Sequence, residues 1–180
     1  MITDQERETA LGLLDRSRGA VVKAVDGVTE DQARWKPAPD RWCILEYVEH
    51  LAVSDDALVA MVKRSLESPA HPETPEERKA REQKIRETPM PRGANRAPEA
   101  LKPGARFNTL EDALAAFLAA RERTVEFAKS TTDDLRSHFA PHGVLGQLDG
   151  FQWLCGNARH AETHAAHMVE LRGMPDFPSA

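Results

Sequence analysis

The sequence holds little cysteine, no apolar run of membrane-spanning length and no surplus of positive charge. Its two cysteines, Cys43 and Cys155, exclude a disulfide framework and lead us to expect a reducing compartment. No apolar stretch approaches the roughly twenty residues that a transmembrane helix requires. With 24 Lys and Arg against 29 Asp and Glu, the formal net charge is -5. That balance gives no electrostatic footprint for nucleic acid or for an anionic membrane. The opening residues MITDQERETA lack the apolar core of a signal peptide, so a cytoplasmic location is expected. Strand-like period-two patterns and internal repeats are both missing.

What remains is a globular composition: 180 residues, 41% apolar and 29% charged. This suits one domain over 1–180 with a real core. Four segments carry helical periodicity. The first starts at Thr3, with Glu6 placed to complete a capping box, and its apolar positions are Leu11, Leu14, Val21, Val25 and Val28, interrupted by Arg18. The second follows Pro39-Asp40, with Asp40 as expected N-cap. It runs through Ile44, Val48, Leu51, Leu58, Val62 and Leu66, and Asp55 breaks the line where a bundle wants a hydrophobe. The third begins at Thr109, with Asp112 three residues on, and presents Leu110, Leu114, Phe117, Leu118 and Val125. The fourth spans about 149–171, stopped by Gly173 and Pro175.

Seven of the twelve prolines fall in the connection at about 67–108, which excludes one continuous helix there. Within it, PEERKAREQKIRE reads as a short solvent-facing helix and the remainder as extended or mobile loop. The expected fold is all-α: a four-helix bundle with a long crossover connection between helices 2 and 3.

Three of the seven histidines, His160, His164 and His167, lie together on the fourth helix. At about 100° per residue, His164 is turned about 40° from His160 and His167 about -20°, so all three share a face. Two histidines at i and i+4 can grip one metal ion. Gly156, one turn earlier, leaves room. A third ligand should come from another helix, and His50 in EYVEHLAVSDD, on the border of the apolar face, is the candidate. The HxxxH spacing alone also fits partly exposed or internally hydrogen-bonded histidines.

The segments RWKPAPDRWCILEYVEHLAVSDD and HGVLGQLDGFQWLCGNARHAETHAAHMVEL resemble the two signature regions of the DinB-like superfamily. The matching positions are Trp35, Pro37, Trp42 and His50, then His142, Gly146, Gln152, Trp153, His160 and His164. The resemblance covers nearly the whole chain apart from the middle connection. It implies a four-helix bundle with an up-down-down-up style crossover, a divalent metal, usually zinc or nickel, on His50, His160 and His164, and a frequent homodimer. Relatives in that superfamily include S-transferases using low-molecular-weight thiols, thiol-dependent isomerases and metal-dependent hydrolases, and many have no known activity.

Two positions depart from the pattern. His167 stands where the family commonly has Gln, and is open to three readings: an outer hydrogen-bond donor, an extra ligand or an exposed residue. Cys43 replaces Ser or Thr at the start of the second helix, as a small buried residue or a catalytic thiol. Elsewhere, Glu46 could orient His50, act as a base or face solvent. His142 is expected to make a structural hydrogen bond, and His71 and His138 to be solvated. Trp35 and Trp42 should pack the corner between helices 1 and 2, and Arg78–Arg86 should form a solvated charged face.

Three neutral imidazoles leave a metal with open positions, as in catalytic sites. The favoured chemistry, drawn from the resemblance, is transfer of a small-molecule thiol to a small electrophile. The alternatives are metal-dependent hydrolysis and a non-catalytic, stress-associated metal-binding bundle. No Ser-His-Asp or Cys-His arrangement offers a competing nucleophile. The expected partners are a small-molecule thiol or electrophile and a second copy of the chain, with no nucleic acid and no membrane.

Overall fold

The computed structural model describes residues 1–88, 97–143 and 145–179, apart from the side chain of Arg86. Its elements run α1 (Asp4–Val25), α2 (Glu30–Arg34), α3 (Ile44–Ser65), α4 (Pro75–Glu87), a 3₁₀ turn (Glu99–Leu101), α5 (Leu110–Ser130), β1 (Phe139–His142), β2 (Gly146–Asp149) and α6 (Gly150–Arg172). The four long helices α1, α3, α5 and α6 form the body. α1 packs against α6 and α5, and α3 packs against α5 and α6, so each long helix has two long-helix neighbours. The fold is mostly helical, and none of the helices is long and apolar enough to cross a membrane among the described residues.

Local signals account for most helix ends. Thr3 and Glu6 close a capping box on α1, Thr74 and Glu77 do so on α4, and Asp149 and Gln152 on α6. Each satisfies amides that the first turn leaves unpaired. The N-cap of α3 is Cys43, not Asp40. The reason is three residues downstream: Glu46 follows Cys43 and its Oε2 accepts the Cys43 N–H at 2.9 Å, whereas the residue three beyond Asp40 is Cys43 itself, with no carboxylate. α2 and its Thr29–Gln32 capping box add a helical turn where none was expected.

The antiparallel hairpin of β1 and β2 also departs from expectation. It pairs Phe139 with Asp149, Ala140 with Leu148, Pro141 with Gln147 and His142 with Gly146. Each strand has four residues, and Pro141 and Gly146 dilute any alternation. Gly146 takes φ +80°, a conformation open to glycine and strained for a side chain. Gly150 opens α6 against α3: a Cβ there would lie 3.0 Å from Leu135 Cδ2 and 3.2 Å from Val62 Cγ1.

α4 matches the expected PEERKAREQKIRE, yet it is not simply a solvated charged face. Arg81 pairs with Glu73 at 2.5 Å and Asp149 at 3.0 Å and lies over the Phe139 ring. Glu82 accepts from Arg136 at 3.0 Å, and Ile85 packs on the core. The helix thus docks where α6 begins. The expected loop character of 89–96 lies outside the described residues.

The core falls into two apolar clusters. One contains Val21, Val48, Leu51, Phe117 and Met168, the other Leu14, Val62, Leu135, Leu148 and Leu154. Where they meet, every long helix contributes polar residues: Ser17, Asp55, Arg121, Thr124 and Asn157, all buried. Arg121 Nη1 donates to Ser17 Oγ at 3.0 Å, and its Nη2 donates to Asp55 Oδ2 at 3.0 Å and Asn157 Oδ1 at 2.9 Å. Asp55 Oδ1 accepts from Thr124 Oγ1 and Asn157 Nδ2, both at 3.0 Å. The break that Asp55 makes in its apolar line is therefore filled by a partner on α5. Burial pushes the Asp55 carboxyl up and the Arg121 guanidinium down, and their mutual attraction opposes both shifts.

Removing one member of a buried pair leaves an uncompensated charge and costs about 3–5 kcal/mol. Arg121→Ala is expected to lower the unfolding free energy by about that much, measured by urea denaturation. Combining Arg121→Met with Asp55→Leu should recover most of it. An equal loss in the single and double variants would argue against an isolated charge as the cause.

Candidate metal centre

His50 is the seventh residue of α3, and His160 and His164 stand one turn apart in the middle of α6. The polar layer sets their register. Asn157, one turn before His160, is tied to Asp55, five residues after His50, so the rotation of α6 about its axis is fixed relative to α3. The three imidazoles then meet: His50 Nε2 lies 3.1 Å from His160 Nε2, and His164 Nε2 lies 3.0 Å from His160 Nε2. All three potential ligand atoms fall within 4.8 Å of one another. A Cβ at Gly156 would meet no atom within 4 Å, so the space beside that turn is open.

His50 has a defined tautomer. Its Nδ1–H donates to the Leu101 carbonyl at 2.7 Å, with Ser54 Oγ 3.4 Å from the same nitrogen. Nε2 therefore carries a lone pair and faces the other two rings. His160 Nε2 can donate to one neighbour only, so at least one close nitrogen pair has no proton between its lone pairs unless a cation is shared. Two nitrogens held tetrahedrally at zinc distances are about 3.3–3.4 Å apart, near the observed spacing. The donor set fits a divalent ion of borderline hardness. The Nδ1 atoms of His160 and His164 are buried and find no protein partner among the described residues.

Burial disfavours the charged form of each ring. It lowers the His50 pKa, against the Leu101 hydrogen bond. The pKa of His160 is lowered to about 3, by burial first and then by His50, Arg121 and His142. That of His164 is lowered to about 2, by burial first and then by His160, His50 and His167. The cluster presents neutral imidazoles, the ligand form, at ordinary pH.

Other expected residues are sorted by the structure. His167 lies outside the cluster, its ring centroid 5.6 Å from His164 and 5.8 Å from Tyr47. Glu46 does not reach His50: its Oε1 takes Lys36 at 2.7 Å and its Oε2 the Cys43 amide. Cys43 is buried, and burial pushes its thiol up. Burial likewise pushes Cys155 up to about 12, so neither thiol is activated. His142 accepts the Leu145 N–H at 3.1 Å and lies on Trp153, a structural role as expected. His138 is not simply solvated, because its Nδ1 bonds the Ser68 carbonyl at 2.8 Å. The exposed His71 donates its backbone N–H to Ser137 O.

Trp35 packs the corner, edge-on to Phe177, but Trp42 does more. Its ring lies 4.9 Å from His50 and 6.2 Å from His164, and Tyr47 lies 5.2 Å from His164. Together they wall the cluster. Sequence reasoning missed Tyr47 and Leu101. Tyr47, three residues before His50 on the same face, carried a readable signal, whereas the Leu101 carbonyl carried none.

The sequence profile described as the DinB superfamily matches residues 13–168. No curated protein matches the sequence. Among solved structures, the chain is similar to YfiT from Bacillus subtilis, "a probable metal-dependent hydrolase with an unusual four-helix bundle topology". The identity is 18% and the TM-score 0.62, covering 95% of this chain and 88% of that one. At that identity the likeness concerns the fold.

A pH dependence follows from the lowered imidazoles. Unfolded histidines titrate near 6.5, so below that value the unfolded chain binds more protons than the folded one. The stability these groups confer is present above pH about 6.5 and is lost as pH falls toward the folded values. In metal-stripped protein, the melting temperature is expected to fall between about pH 7 and pH 4, with a shallower slope in His160→Ala. Equal slopes would count against buried neutral imidazoles.

Proposed function

This chain belongs to the DinB superfamily, and we propose that it is a metal-dependent enzyme whose His50, His160 and His164 hold one divalent ion, zinc or nickel. The observation that carries the reading is the convergence of three neutral Nε2 atoms with no further His, Cys, Asp or Glu joining them among the described residues. Three protein ligands leave positions for an exchangeable one, as catalytic sites do. A bound divalent ion supplies Lewis acidity, bringing the pKa of a bound thiol or water toward neutrality.

In this reading the chain takes a small-molecule thiol and a small electrophile. The sulfur–carbon bond forms, the leaving group departs with its electron pair and the thiol proton passes to water. Leu101 holds the His50 lone pair toward the site, and Trp42 and Tyr47 supply apolar walls that limit water. The chain's own thiols, raised by burial, are not the nucleophile. Hydrolysis of an ester or amide is the second reading, favoured by the description of YfiT. A non-catalytic metal-binding bundle is the third, and the lack of a fourth protein ligand among the described residues speaks against it.

We further propose, from the family resemblance and the composition, a cytoplasmic homodimer, with the connection at about 67–108 as the crossover of an up-down-down-up bundle. Support for the crossover comes from α3 and α5, which both begin in the cluster containing Phe117 and end in the one containing Leu135.

A ligand bound only by the folded state raises stability by mass action. Metal analysis of the purified protein is expected to find about one divalent ion per chain, the number one cluster can hold. Chelation should lower the melting temperature, and His160→Ala should remove most of that response. A thiol-and-electrophile screen of zinc- and nickel-loaded protein should show conjugation above the rate of the triple histidine variant. Turnover of esters or amides alone would favour hydrolysis, and retained metal without either activity would favour the non-catalytic bundle.

A further inference from the structure

Beside His50 on α3 stands Glu49, almost fully buried at 1% exposure. Being adjacent, it points about 100° away around the helix and takes no part in the histidine cluster. Its Oε1 accepts three donors from one short stretch of the connection: Gly104 N at 2.7 Å, Arg106 N at 3.3 Å and Arg106 Nη1 at 2.8 Å. Arg106 then turns back on that stretch. Its Nη1 donates to the Lys102 carbonyl at 2.8 Å and its Nη2 to the Ala100 carbonyl at 3.3 Å. Between those two carbonyls lies that of Leu101, which accepts His50 Nδ1–H at 2.7 Å.

Two neighbouring side chains of α3 therefore hold one strap, residues 99–106, at two points. A buried carboxylate is costly unless charge-paired and hydrogen-bonded, and here every bond it makes among the described residues goes to the strap. The carbonyls flanking Leu101 are occupied by Arg106, which leaves the Leu101 oxygen directed at His50.

We propose that Glu49 is a positioning residue for the histidine cluster. Through Arg106 and Gly104 it holds the strap where the Leu101 carbonyl keeps His50 protonated on Nδ1, so that Nε2 offers its lone pair to the metal. This rests on the reading of the three histidines as ligands. Outer partners of ligating histidines fix ring orientation and tautomer, and their loss lowers metal affinity about 10–100-fold.

The test uses the full chain. Ring ¹⁵N shifts of His50 in metal-free protein report the tautomer, and a zinc titration against a competing chelator reports affinity. The variants are Glu49→Ala and Arg106→Gln. Glu46→Gln, which weakens the α3 cap without touching the strap, serves as control for general loss of stability. Wild type should show an Nδ1-protonated His50. Both strap variants should show averaged ring shifts and zinc binding weaker by about 10–100-fold, and Glu46→Gln should melt earlier with neither change. A folded strap variant with unchanged ring shifts overturns the proposal, even if affinity falls, since Glu49 would then act through stability alone. If Glu49→Ala does not fold, Arg106→Gln decides by the same two outcomes. If wild type takes up no zinc, the metal reading fails, and the ring shifts alone decide whether Glu49 sets the tautomer.

Discussion

The buried pair between Asp55 and Arg121 is the interaction around which the bundle is arranged. Apolar side chains alone would let four helices slide or rotate past one another at modest cost, because dispersion and burial are non-directional. Hydrogen bonds between a carboxylate, a guanidinium and an amide are directional. By joining α1, α3, α5 and α6 in one layer, they select one axial register for each helix. The histidines inherit that register. His50 and His160 come from chain segments 110 residues apart, and their meeting depends on Asn157 and Asp55 holding α6 to α3. Such a layer costs desolvation, and its return here is specificity of arrangement.

The cluster itself is defined by what surrounds it. Aromatic walls and depth keep the rings uncharged, and a main-chain acceptor sets the proton on His50. Trp42 and Tyr47 pack against the rings, so charges there act in a medium where electrostatics are stronger than in water. The nearby Arg121 adds positive potential that disfavours protonation of His160.

Local chemistry was readable in the chain, and pairings between distant segments were not. Thr3 and Asp149 announce their helices because a cap and the acid or amide that answers it lie three residues apart, and Thr109 does so through its hydroxyl alone. The α4 boundaries follow from Thr74, Pro75 and Glu77 for the same reason. The pair His160 and His164 is legible from helical spacing, and Asp55 is visible as an anomaly whose cause, Arg121, lies 66 residues away. The β1–β2 hairpin is hidden because eight residues including a proline carry too little alternation. Cys43 displaces Asp40 as cap through a neighbour's carboxylate, and Arg81 leaves the solvent for Asp149 only because α4 folds back on α6. Tyr47 lies within reach of spacing arguments, whereas Leu101 contributes an atom common to every residue.

An acceptor supplied by the main chain survives any substitution at its own position, so residue 101 is free to drift while its contribution persists. Selection would act instead on the shape of the segment, through residues such as Gly104 and Arg106 that determine where the oxygen points. A scan of single substitutions across this stretch would register tolerance at the atom that matters and sensitivity several residues away. Sequence variation alone would thus misassign the source of the effect.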